Sequence, residues 1–265
     1  MKEIVFIGTG GSVATVERDN TSFLLLSEDT AALVDCPGSV IQKLKKVAVE
    51  PRSVHSIIVT HIHPDHIYGL PSLVHSLMQE DCVIEILGSE PSMNFCGDLL
   101  DLFNLRSEKV KCHVNFVPAV EGEKYRLSPS LDCVFYKVPH SPSSMAVGFC
   151  DNGNKMELLY SGDTPRFPQL LERNIDCLIH DCSAPSRIFK QYPSLFAMHT
   201  DSLTLGELAH EAGIKHLLPC HFFGEVQFSM EEIEKEIGKN FRGKLTIPED
   251  FSRVPLQKQW GNHDL

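Results

Sequence analysis

No stretch of this sequence stays apolar for the roughly 18 residues that a membrane-spanning helix needs. No association with a membrane is therefore expected. Collagen-like repeats, coiled-coil heptads and low-complexity tracts are all missing. No Gly/Ser- or Pro-rich linker divides the chain, so one domain spanning residues 1–265 is expected. The opening MKEIVFIGTGGS has one lysine and no long apolar stretch, so it lacks the form of a secretory signal. The nine cysteines contain no C-x-x-C pair, which leaves little basis for a structural zinc site. Their odd number and apolar surroundings suit free buried thiols in a reducing cytoplasm. Basic residues are also scarce: 24 Lys and Arg stand against 35 Asp and Glu, a net charge of −11. Such a chain repels nucleic acid unless a local basic patch overrides the total.

What remains is an ordinary globular composition, 42% hydrophobic and 22% charged over 265 residues. A chain of this size buries its own core. Strands are expected at 3–9, 22–27, 31–35 and 56–60, with a turn at Glu28-Asp29-Thr30 and a helix over 39–49. A helix over 69–78, a strand over 83–87, a helix over 91–105 and a strand over 114–117 follow. From Leu131 the runs LDCVFYKV, SMAVGFC and MELLYSG read as consecutive strands, the last two joined by an Asp151-Asn152-Gly153-Asn154 hairpin turn. Strands at 177–180 and 216–219 then alternate with helices over 203–212 and 230–239. Strands thus come in two blocks, and an α/β fold of two packed sheets with helices outside would bury both.

The most informative segment is Thr60-His61-Ile62-His63-Pro64-Asp65-His66. In an extended chain His61 and His63 point the same way, because side chains alternate. Two imidazoles so placed at a strand end can grip one metal ion. Pro64 turns the chain, which lets Asp65 and His66 reach a second ion nearby. Zinc accepts such a mixture of imidazole and carboxylate.

SIIVTHIHPDHIYGLPSL resembles the signature segment of the metallo-β-lactamase superfamily, and the Gly69-Leu70-Pro71 run resembles its ribonuclease Z-like branch. Gly8-Thr9-Gly10-Gly11, with Asn20-Thr21-Ser22 behind it, resembles the opening strand and glycine turn of that branch. His140, Asp163 and His221 resemble its later metal-binding positions, with Cys220 where threonine is common, and each follows an expected strand run (VFYKVP, LLYSG and HLLPC), where α/β folds gather functional groups. His199 in MHTDS resembles a histidine found near the active site there, although Asp201 replaces a small hydroxylic residue. The resemblance covers Met1 to about Asp250. It implies a four-layer αββα sandwich of two mixed β-sheets. It also implies one metal site from His61, His63 and His140 and a second from Asp65, His66 and His221, with Asp163 shared. Two Zn²⁺, with Mn²⁺ or Fe²⁺ as substitutes, would activate a bridging hydroxide for hydrolysis. Asp65 is then a candidate for orienting the nucleophile and His199 for protonating the leaving oxygen. The alternative for His199 is a place in an N-cap cluster with Thr200, Asp201 and Ser202. Asp181 is either a partner of a ligand or of His199, or a strand-end surface aspartate.

The interval from His140 to Asp163 holds one hairpin and leaves no room for the arm with which ribonuclease Z grips tRNA. A phosphodiesterase acting on a small phosphodiester, or another ester, is therefore the first expectation. A tRNA 3′-end endonuclease is the second. An iron-dependent redox enzyme on the same fold and a non-catalytic binding module are remoter ones. Homodimers are common in the branch and are carried as an expectation. His55, His75, His113, His180, His210, His216 and His263 have no defensible ligand spacing. The GTGG turn has no acidic partner at the distance of a dinucleotide fingerprint. Phe189, Tyr192, Phe196, Phe222 and Phe223 are candidates for a substrate pocket or for core packing.

Overall fold

Successive residues along the strands bury into different cores, and this alternation organises the molecule. Val5 and Ile7 face one cluster while Ile4 and Phe6 face another; Ile57 and Val59 likewise part from Ile58. A computed structural model describes residues 2–27, 29–150 and 155–256. The expected turn at 151–154, Glu28 of the preceding turn and His263 lie outside the described residues.

The first sheet contains β1 (Glu3–Gly8), β2 (Ser22–Leu26), β3 (Ala31–Val34), β4 (Ser56–Val59), β5 (Val83–Gly88) and β6 (His113–Pro118) in that order. The second contains β7 (Lys124–Ser128), β8 (Leu131–Lys137), β9 (Met145–Cys150), β10 (Met156–Tyr160), β11 (Cys177–Asp181), β12 (His216–Cys220) and β13 (Lys244–Leu245), also in order. The late strand β14 (Arg253–Pro255) returns to pair with β1. Both sheets are mixed. β1 to β3 are antiparallel and β3 to β6 parallel, whereas β7 to β10 are antiparallel and β10 to β13 parallel.

Three clusters fill the spaces between four layers. The inner one joins Phe6, Phe23 and Ile58 of the first sheet to Phe135, Phe149 and Tyr160 of the second. The outer face of the first sheet packs against α1 (Val40–Lys46), α3 (Leu70–Ser76) and α4 (Glu90–Leu102). The outer face of the second packs against α6 (Ser202–Glu211) and α7 (Met230–Ile237). Two short helices, α2 (Pro64–Ile67) and α5 (Ser186–Gln191), sit next to strand ends. This is the expected αββα sandwich of two mixed sheets.

The departures from expectation are local. The helix expected over 91–105 stops at Leu102, because Asn104 takes a left-handed φ of 55°. The helix expected over 39–49 stops at Lys46, with Ala48 left-handed at 60°. Strand β7 was not expected, because KYRLS mixes charges into a half-exposed edge. All nine cysteines are free thiols, and only Cys82 is not fully buried. No helix among the described residues is long and apolar enough to cross a membrane.

Candidate metal centre

Loops after β4, β8, β10 and β12 bring seven side chains to one edge of the sandwich. Asp163 stands at their middle. Its Oδ2 lies 3.1 Å from His221 Nε2 and 3.5 Å from His66 Nε2 on one side. On the other side it lies 3.8 Å from His61 Nε2 and 3.8 Å from His140 Nε2. Asp65 Oδ2 completes the first group, 3.3 Å from His66 Nε2 and 3.5 Å from His221 Nε2. The structure thus brings together His61, His63, His140 and Asp163 as one set of donors, and Asp65, His66 and His221 as another.

Partners behind each ring fix which nitrogen faces the centre. His140 Nδ1 donates to the Met198 carbonyl at 2.8 Å. Thr60 Oγ1 gives its proton to Asp35, so it accepts from His61 Nδ1 at 3.1 Å. The Nε2 atoms of His61 and His140 therefore carry bare lone pairs. They converge on His63 Nδ1 at 3.0 and 3.2 Å. Three ring nitrogens in contact with at most one proton among them repel unless a cation lies between them. On the other side, His66 Nε2, His221 Nε2 and Asp163 Oδ1 are buried without a hydrogen-bond partner. Buried polar atoms rarely go unpaired. The residues present therefore fit divalent metal.

The electrostatics agree. Burial pulls His61 well below an ordinary imidazole, with the neighbouring His66 adding to it. Burial opposes charge on His66 too, but Asp163 and Asp35 overcome it and hold that ring well above its usual range. Burial likewise opposes charge on His221, yet Asp163 lifts it to about 10. Asp163 and Asp65 resist the effect of burial through the same histidines and sit well below ordinary carboxyls. Without metal, protons on His66 and His221 serve as counter-ions to the two carboxylates, a place that cations can take.

Asp181, at the end of β11, is completely buried and not a surface residue. Its Oδ2 accepts from His199 Nδ1 at 2.8 Å, and its Oδ1 accepts from Ser183 Oγ at 2.7 Å. That hydroxyl in turn lies 3.3 Å from His221 Nδ1. The His199 ring stacks on His221 at 5.2 Å and lies beside the Phe223 ring at 5.1 Å. The N-cap alternative proves true of its neighbour: Asp201 accepts from Leu203 N and Thr204 N at 3.0 and 3.1 Å. His199 thus belongs to the centre and Asp201 to the helix. Of the other aromatics, Phe189 and Phe222 are buried, whereas Tyr192 and Phe196 are exposed.

Sequence reasoning missed Asp35, the residue just after β3. Completely buried, it accepts from Thr60 N at 2.8 Å and from His66 Nδ1 at 2.8 Å. Its position directly past an apolar strand was the available signal. The histidines discounted above stay out of the cluster among the described residues. His55, His75, His113 and His210 are exposed, while buried His180 and His216 bond elsewhere.

His221 itself has φ 66°, a left-handed backbone that costs on the order of 1 kcal/mol outside glycine. Gly11 packs against it. A Cβ at Gly11 would come 3.4 Å from His221 Cε1 and 3.0 Å from Phe223 Cδ1. The glycine turn therefore has a role beside the centre.

The family model described as Anti-Pycsar protein Apyc1 matches residues 2–204. Ribonuclease Z of Methanosarcina acetivorans is 26% identical over an alignment 303 positions long, covering 97% of this chain and 98% of the relative. The metallo-β-lactamase fold protein YhfI of Bacillus subtilis superposes with a TM-score of 0.79 at 22% identity, covering 96% of this chain and 100% of its own. The short form of human tRNase Z, ELAC1, superposes with a TM-score of 0.77 at 19% identity, covering 96% and 99%.

Proposed function

Because this chain belongs to the Anti-Pycsar protein Apyc1 family and is a ribonuclease Z-like member of the metallo-β-lactamase superfamily, we propose that it is a metal-dependent hydrolase of phosphodiesters. The position of Asp163 between two sets of histidines carries this reading. His61, His63 and His140 would hold one ion, Asp65, His66 and His221 a second, and Asp163 both. Zinc suits five imidazoles and two carboxylates best, with manganese or iron as substitutes. When bound, two such ions lower the pKa of water toward neutrality and offset charge on the phosphate oxygens.

The chain's own residues do the rest. Having only two carboxylates among seven donors leaves the loaded site positive, which attracts an anionic diester to a chain of net charge −11. Asp65 is placed to orient the attacking water. Asp181 holds His199 by Nδ1 and so leaves Nε2 to protonate the departing oxygen. The nine free thiols fit a reducing cytoplasm.

A small phosphodiester is favoured because β9 and β10, paired side by side, take up half of the short interval between His140 and Asp163. No arm projects there among the described residues. A second reading, tRNA 3′-end processing, draws on the relative named ribonuclease Z that aligns along 97% of this chain. One assay tests both. Zinc-loaded protein is given bis(p-nitrophenyl) phosphate and a 3′-extended tRNA precursor, with Asp163→Asn as control. Cleavage of the small diester alone, lost in the control, is the expected result. Cleavage of the tRNA at its 3′ end selects the second reading, and cleavage of neither overturns both.

A further inference from the structure

We propose that Arg18 is a positioning residue for His221, and through it for the half of the centre formed by Asp65, His66 and His221. The proposal rests on the two-ion reading above. His221 holds its left-handed backbone only because its surroundings over-determine it. Those surroundings are the glycine turn. The Thr9 carbonyl accepts from both His221 N at 2.9 Å and Phe222 N at 3.2 Å, and Gly11 N donates to the Phe222 carbonyl at 2.7 Å.

Arg18 grips both sides of this short pairing. Its Nη1 donates to Thr9 Oγ1 at 2.6 Å, and its guanidinium lies over the Phe222 ring, 4.8 Å from the centroid. Nη1 also donates to the Pro248 carbonyl at 2.7 Å. Thr9 Oγ1 donates onward to Asp250 Oδ1 at 2.7 Å, and Asp250 Oδ2 accepts from Asp19 N at 2.8 Å. One side chain therefore ties the turn, the segment after β12 and the chain before β14 together behind His221. None of its hydrogen bonds among the described residues goes to a member of the cluster. A guanidinium can donate and stack at once, which an ammonium on a flexible stem does not reproduce.

The other half of the centre is held differently. His61 leans on Thr60 and His140 on the Met198 carbonyl. Loss of Arg18 is therefore expected to be selective for one ion. The test is a Co²⁺ titration of metal-free protein, followed by its visible absorption, with metal content measured after dialysis and thermal unfolding recorded in parallel. Wild type is expected to take two Co²⁺ per chain. Arg18→Ala should keep the first with unchanged affinity and bind the second at least about tenfold more weakly, with Arg18→Lys between them. Thr9→Val removes the hydroxyl that Arg18 grips, and should show the same selectivity should Arg18→Ala fail to fold. Two ions bound by the variants as in wild type, or both weakened in parallel with the melting temperature, would overturn the proposal. A wild type that takes up fewer than two Co²⁺ would instead sink the two-ion reading.

Discussion

His66 donates from Nδ1 to Asp35 Oδ2 at 2.8 Å, and both side chains are completely buried. Asp35 also binds Thr60 N and Oγ1, so one carboxylate joins the end of β3 to the metal-binding loop after β4. This turns His66 Nε2 toward Asp65 and Asp163. Replacing Asp35 with Asn keeps the size, and Asn tolerates the left-handed φ of 57°. It removes the charge that polarises His66. Asp35→Asn is expected to weaken binding of the ion at His66 by roughly 10–100-fold while the protein stays folded. Competition with a chelator of known affinity measures this. An unchanged affinity would show that Asp35 serves only the backbone.

His199 and Asp181 allow a prediction that depends on the substrate. A proton donor this close to the centre matters most when the leaving oxygen needs a proton. His199→Ala is expected to slow hydrolysis of an alkyl phosphodiester by roughly 10²–10⁴-fold. A p-nitrophenyl ester, whose leaving group departs unprotonated, should lose far less, and metal content should not change. Equal losses on the two substrates would assign His199 a structural role instead.

The two-sided strands were legible because their central residues are buried on both faces, which leaves unbroken apolar stretches such as IIV in β4 and CVF in β8. Strand β7 was not, because Lys124 and Arg126 point to solvent at an edge. β13 and β14, at two and three residues, are too short to carry a pattern. In the centre, His61, His63, Asp65 and His66 declared themselves by spacing, since they lie within six consecutive residues that run from the end of β4 into α2. His140, Asp163 and His221 are scattered along the chain, and only the family resemblance joined them before the fold did. Asp35 follows a strand and Asp181 ends one, but strand ends offer many aspartates and only tertiary contact selects among them. Arg18 carried no local signal: its partners Thr9, Phe222 and Pro248 meet only in the folded chain.

Two glycines separate two costs of the same substitution. A Cβ at Gly69 would stand 1.9 Å from the Pro37 carbonyl oxygen, so the loop after β3 or the start of α3 must move. Gly213 has open space around its Cβ position but a φ of +66°. Gly69→Ala should cost about 3 kcal/mol through forced backbone displacement. Gly213→Ala should cost about 1 kcal/mol through strain alone. Urea unfolding of the metal-free variants ranks them, and the reverse order would contradict the packing described.

His216 makes stability depend on pH by a route separate from the metal donors. Its Nε2 lies 2.9 Å from Thr246 Oγ1, and the residue is 1% exposed. Burial, helped by the charge of Lys244, holds its pKa down at about 4, against 6.5 for an ordinary imidazole. The unfolded chain therefore takes up a proton near pH 6.5 that the folded protein refuses until about pH 4. Where the unfolded state binds more protons, stability rises with pH. The contribution from His216 is thus complete above pH 6.5 and is lost as the pH falls toward 4. The whole loss is on the order of 3 kcal/mol, at about 1.4 kcal/mol per pKa unit. Other buried histidines add acid sensitivity of their own, so the informative quantity is a difference. The gap in unfolding free energy between metal-free wild type and His216→Gln should be constant above pH 6.5. Below it, wild type should lose ground steadily, because glutamine takes up no proton in either state. A gap that stays flat down to pH 4 would mean that the His216 imidazole is protonated as easily in the fold as in water.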